Sequence, residues 1–143
     1  MTTATHASTS HSHDTSASAQ AVWALFTDVS SWKEWNAGVH DCSIDGAFTM
    51  GSWLTMTLPD QEVIKSQLID VMAPQLFTDE TKLGDIVVKV RHEIKPLSGG
   101  GHRITFSIDV QGERALNVCN GISADFPDVL SALAARAEGR VAP

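Results

Sequence analysis

The chain has 143 residues, 43% of them hydrophobic and 19% charged, which suits one domain with a buried core better than two. With 17 acidic against 10 basic side chains its formal net charge is -7, which excludes a pervasive basic surface of the kind that binds nucleic acid or anionic lipid. No stretch approaches the roughly twenty apolar residues that cross a bilayer, and the polar start lacks the apolar centre of a signal peptide. The expectation is a soluble cytoplasmic protein without stable membrane insertion. Cys42 and Cys119 form no disulfide scaffold and match no zinc-site spacing.

Residues 1–6 read as a tail and 7–13 as a short edge strand, since alternating small polar residues and threonine tolerate extended geometry. His11 and His13 share one face of that strand, but with His6 they are read as part of a polar terminus and no metal site is expected. Over 16–26 the pattern is helical, with Val22 and Phe26 four apart and Ser16 or Ser18 as cap. Ser31 followed by Glu34 has the form of a capping box opening a helix of one or two turns over 31–35, which Asn36 and Gly38 end.

Strands follow over 53–58, 62–72, 75–82, 86–95 and 102–110, separated by Pro and Gly punctuation. The last two are the clearest. Ile86, Val88, Val90, His92 and Ile94 alternate with Val87 and four charged residues, and Ile104, Phe106, Ile108 and Val110 with polar ones, as in an antiparallel sheet covered on one side. The Gly99–Gly101 run joins them as a hairpin. A long C-terminal helix ends the domain at 139 and leaves a tail over 140–143; its apolar stripe comprises Leu116, Cys119, Ser123, Phe126, Leu130, Leu133 and Ala137. Pro127 predicts a break near Asp125 and a regular part over 128–138.

His92 interrupts an apolar strand face, so it needs a polar partner or a ligand; it reads either as a pocket-lining residue or as a ligand contact. Asp70 shares parity with Ile64, Leu68 and Met72 and is the second candidate for acid/base work. Trp23, Trp32, Trp35 and Trp53 serve either core packing or the wall of a ligand cavity. Trp35 and Trp53 are the two placed to reach a ligand. The absence of tyrosine removes one common hydroxyl donor from any pocket.

Val22-Trp23, Asp28 and the Trp32/Trp35 pair within residues 21–41, together with Gly51, the hairpin over 86–110 and Pro127 ahead of Leu130 and Leu133, resemble the START-like (SRPBCC) superfamily. The likeness is to its polyketide cyclase/dehydrase and lipid-transport group, over about 7–139, nearly the whole chain. It implies an α+β helix-grip fold: a curved antiparallel β-sheet wrapped around a long C-terminal α-helix, with two short helices after the first strand. It also implies an internal cavity for a hydrophobic or amphipathic molecule, and no cofactor. Trp35, Phe77, His92, Phe106, Phe126 and Leu130, with Val90 and Trp53, become the expected ligand contacts. Three functions follow as expectations: binding or transport of such a ligand, a cyclase/dehydrase-like enzyme using His92 or Asp70, and a non-catalytic regulatory or interaction domain acting through an outer apolar patch. The sequence leaves the oligomeric state open, monomer or homodimer.

Overall fold

The computed structural model describes residues 5–139, so the tails expected over 1–6 and 140–143 fall outside it except for Thr5 and His6. His6 is already part of the first strand. Seven strands form one antiparallel sheet: β1 (His6–Thr15), β2 (Asp41–Ile44), β3 (Trp53–Thr57), β4 (Val63–Met72), β5 (Leu76–Leu83), β6 (Ile86–Pro96) and β7 (His102–Gln111). Their spatial order is β1-β7-β6-β5-β4-β3-β2, a meander in which the N-terminal strand returns to pair with the last. β2 is an addition to the sequence reading. Its four residues are too few to display a period, and only Cys42 among them is buried.

Helix α1 (Ala19–Thr27) starts where Ser18 Oγ accepts from the Ala21 amide at 3.1 Å, and its i, i+4 pair Val22 and Phe26 is buried. The next turn is a 3-10 helix, Val29–Glu34, not the capped α-turn expected. Ser31 lies inside it, and its hydroxyl donates back to the Asp28 carbonyl at 2.7 Å instead of capping an amide. The C-terminal helix breaks as Pro127 predicts, into α2 (Ala115–Ser123) and α3 (Phe126–Ala137). Proline has no amide to give the carbonyl four residues back, so the hydrogen-bond ladder cannot run through Ser123. The stripe is corrected at its start: Ala115, Cys119 and Ser123 are the buried row, and Leu116 is 52% exposed.

These helices cover one face of the sheet, α2 against β1 and β7 and α3 against β1. Thr15 Oγ1 donates to Glu138 Oε2 at 2.6 Å, tying the end of β1 to the end of α3. The β6–β7 hairpin must approach that same corner, and a Cβ on Gly101 would stand 2.4 Å from the Thr15 carbonyl oxygen. Glycine is required there for space and for its φ of +76°. Ile104, Ile108 and Val110 of β7 and Leu130, Leu133 and Ala134 of α3 all belong to one buried core. Leu130 is fully buried in that packing. Leu130→Ala is therefore expected to cost about 2–5 kcal/mol of stability, read as a lowered urea midpoint. A midpoint within error of the parent would contradict this packing.

Candidate functional site

Between the sheet and the α2–α3 break lies a partly open cavity of about 400 Å³. A volume in this range suits a drug-sized or smaller organic ligand. Its walls are mainly apolar, with Trp32, Trp35, Phe106 and Phe126 the aromatic members and Val88, Val90, Ile122 and Val129 among the aliphatic ones. Five polar side chains enter the lining: Asn36, Asp79, Thr81, His92 and Asp125. No lysine or arginine does.

Of the side chains expected at a ligand, Trp35, Val90, His92, Phe106 and Phe126 line this cavity. The other three, and the acid/base candidate Asp70, are placed elsewhere. Trp53 is 44% exposed and pairs with Gln67 on the outer face of the sheet, because the inward parity of β3 belongs to Leu54. Phe77 is fully buried behind His92, and Leu130 packs in the core. Asp70 is displaced by a bulge: β4 runs inward through Ser66 and Leu68, Ile69 enters as an extra residue, and Asp70 then faces outward opposite Thr78. With Trp53 outside, Trp53→Ala is expected to leave the affinity for the neutral dye Nile red within about twofold, whereas Val90→Trp, which fills the cavity, weakens it more than about tenfold. Equal effects of the two substitutions in a fluorescence titration would place the dye elsewhere.

His92 is held in an aromatic stack. Its ring lies 4.0 Å from Phe77, nearly parallel at 8°, and 4.6 Å from Phe106, and Nδ1–H donates to the Phe77 carbonyl at 3.4 Å. Burial depresses its pKa to about 3, and backbone hydrogen bonds to Phe77 and Val90 only partly oppose this. The imidazole is thus neutral at physiological pH and a poor proton acceptor, which corrects the expectation that it carries acid/base chemistry.

The group that sequence reasoning missed is Asp79. In β5 the inward residues are Phe77, Asp79 and Thr81, a parity visible in the sequence but masked by the polar run Thr-Asp-Glu-Thr. Asp79 is 6% exposed and sits opposite Val90. Thr81 and Ser66 bond each other across the strands, and among the described residues no side-chain hydrogen bond reaches Asp79. Burial raises the Asp79 pKa to about 7, opposed only by a hydrogen bond from its own backbone amide. A carboxyl poised near neutrality on the wall of an apolar cavity can both take and give a proton. Nearby Cys42 is the reverse case: burial, then the charges of Asp79 and Asp41, push its thiol up to about 12, so it is no nucleophile.

A second polar feature is Trp35, whose buried indole Nε1 has no hydrogen-bond partner among the described residues. Trp32, by contrast, is anchored: its Nε1 donates to the Phe26 carbonyl at 3.0 Å. The N-terminal histidines lie outside the cavity lining, although His11 touches Phe126 of its wall. His6 pairs with Asp109 on the outer face, and His11 meets Phe126 edge-on at 6.2 Å. Among the described residues no group of three or more His, Cys, Asp or Glu could hold a metal ion, and no helix is long and apolar enough to cross a membrane.

Residues 6–138 match the sequence profile of the family described as polyketide cyclase / dehydrase and lipid transport. Norcoclaurine synthase from Thalictrum flavum, solved in complex with dopamine and hydroxybenzaldehyde, is similar at a TM-score of 0.74 and 14% identity, over 96% of this chain and 90% of that one. A START superfamily protein from Mycobacterium smegmatis gives a TM-score of 0.74 at 17% identity, over 92% and 97% of the two chains. The di-domain ARO/CYC protein StfQ of the steffimycin biosynthetic pathway gives 0.76 at 12% identity, over 94% of this chain and 51% of that longer one. At such identities the likeness is one of fold. Comparison with curated proteins gave no match in sequence.

Proposed function

The chain belongs to the polyketide cyclase/dehydrase and lipid transport family of the START-like superfamily, and from that premise we propose that its cavity catalyses ring closure or dehydration of a small aromatic or polyketide substrate. The observation that carries this reading is Asp79, a buried carboxyl of pKa about 7 lining a cavity whose walls are otherwise mostly apolar. A site that only stores a hydrophobic molecule gains nothing from burying an acid, which opposes both ligand binding and folding. As general base, ionised Asp79 takes the proton released when a carbon–carbon bond forms or a carbon acid is activated. The resulting carboxylic acid returns it to the oxygen that leaves as water. Aromatic walls at Trp35, Phe106 and Phe126 fix the ring while the chain reacts. The similarity to norcoclaurine synthase and to StfQ supports an enzyme better than it supports transport. The open cavity also favours both over an interaction domain with a filled core.

The test is conversion. Purified protein is incubated with a panel of aryl aldehyde plus arylethylamine pairs and poly-β-keto thioesters, and products formed with loss of water are read by mass spectrometry. Turnover by the parent and not by Asp79→Asn is the expected result. Tight retention of panel members that emerge unchanged, or equal rates for parent and variant, would favour binding or transport instead.

A further inference from the structure

Resting on the proton-transfer role of Asp79, we propose that the substrate also carries a protonated amine on its aromatic or apolar body, with the ammonium held at the cavity rim by Asp125 and Asn36. Charge is the first argument. The titratable groups of the lining are Asp79, His92 and Asp125; the histidine is neutral and no lysine or arginine offsets the two acids. A carboxylate or phosphate ligand would enter a site with nothing to pair it, whereas a cation would relieve the acids and face aromatic walls. Lys33 borders an adjoining surface hollow that Asn36 and Asp125 also line, but it makes no ion pair with Asp125 and does not enter the cavity.

Geometry is the second argument. Asp125 stands in the break between α2 and α3, half-buried, across the rim from Gly38. A Cβ placed on Gly38 would lie 3.3 Å from Asp125 Oδ2 and 3.2 Å from Asn36 Oδ1, so two acceptor oxygens converge on the space that the glycine leaves empty. The Asn36 oxygen is fixed in that direction because it accepts from the Gly38 amide at 2.9 Å. Gly38 has no positive φ, so its missing side chain serves the opening and not the backbone. Burial raises the Asp125 pKa from its ordinary value, partly opposed by its own backbone hydrogen bond and assisted by the charge of Asp128, and a bound ammonium would favour the ionised form. Asp79 and Asp125 then divide the work: one holds the charged end at the mouth and the other meets the reacting end deeper in.

The experiment is isothermal calorimetry of the full chain at neutral pH with phenethylamine, phenethyl alcohol and hydrocinnamate, which share a ring and differ in charge. The expected order is amine, alcohol, acid, with the amine about tenfold tighter than the alcohol in the parent and the ratio falling to about one in Asp125→Asn. Binding of the acid as tight as that of the amine would overturn the inference. So would an unchanged ratio in Asp125→Asn, or binding of none of the three up to millimolar concentration. Circular dichroism of Asp125→Asn separates a lost site from a lost fold, and Asp125→Glu, which keeps the charge, should retain a preference for the amine. Since the readout is binding, the two proposals fail separately. Loss of turnover in Asp79→Asn without amine preference sinks this one alone, and amine preference with undiminished turnover in Asp79→Asn sinks the proton-transfer role alone.

Discussion

Asp79→Asn is expected to lower kcat/KM by about a hundred- to ten-thousand-fold while making the folded protein more stable at alkaline pH. The first half follows from removing the proton acceptor while preserving its shape, so that substrate still enters and KM changes little. In the parent, kcat/KM should rise as pH rises through about 7, because burial places the Asp79 titration there and the ionised form does the work. Residual turnover in the variant should lack that limb. The second half follows from linkage. The folded pKa of Asp79 lies near 7, above the 3.8 of a free carboxyl, so the folded state binds the proton more tightly. Its contribution is fully present below pH 4 and is lost as pH rises toward 7, by up to about 4 kcal/mol over that window. Asparagine carries no such loss. At pH 8 its urea midpoint should therefore lie above that of the parent, and at pH 4 the two should converge. A variant less stable than the parent at pH 8 would mean that Asp79 is an ordinary structural acid with a partner in the fold.

The sequence made Asp79 hard to see for the same reason that it made other features easy. From Val88 onward in β6 and along β7 apolar and polar residues alternate, so the inward set from Val88 to Ile94 and from Ile104 to Val110 is readable without coordinates, with His92 standing out as the exception. In β5 both faces carry polar residues, and one more carboxylate draws no notice until its neighbours Phe77 and Thr81 prove to be buried. Pro127 announces the helix break because proline chemistry is local. The bulge beside Ile69 is not local in that sense. It depends on how β4 must bend to keep pairing with both neighbours, and it moves Asp70 and Val71 to faces opposite those that simple parity assigns. The same limit applies to Trp53, whose facing is set by its register against Gln67. The ring of contacts at the mouth joins residues 36, 38 and 125, which no sequence window brings together.

His92→Phe is expected to change the pH dependence of stability in the opposite sense to Asp79→Asn. Stacked on Phe77 and desolvated, His92 holds a folded pKa near 3 against 6.5 for a free imidazole, so the folded state resists its protonation. The stability tied to the neutral ring is intact above pH 6.5 and is lost as pH falls toward 3, with a slope of about 1.4 kcal/mol per pH unit. Asp79 contributes a slope of similar size and opposite sign between about pH 4 and 7, and in the parent the two nearly cancel there. Phenylalanine keeps an aromatic ring in the stack and deletes the titration. Its extra bulk costs about 1–3 kcal/mol at every pH, so the readout is the slope and not the offset. Relative to the parent, His92→Phe should gain stability steadily as pH is lowered from 6.5 to 4, and Asp79→Asn should lose it over the same range. Urea midpoints at four pH values across this window measure both. Parallel curves for His92→Phe and the parent would show that the ring is solvated or paired in solution, and burial would then not hold it neutral.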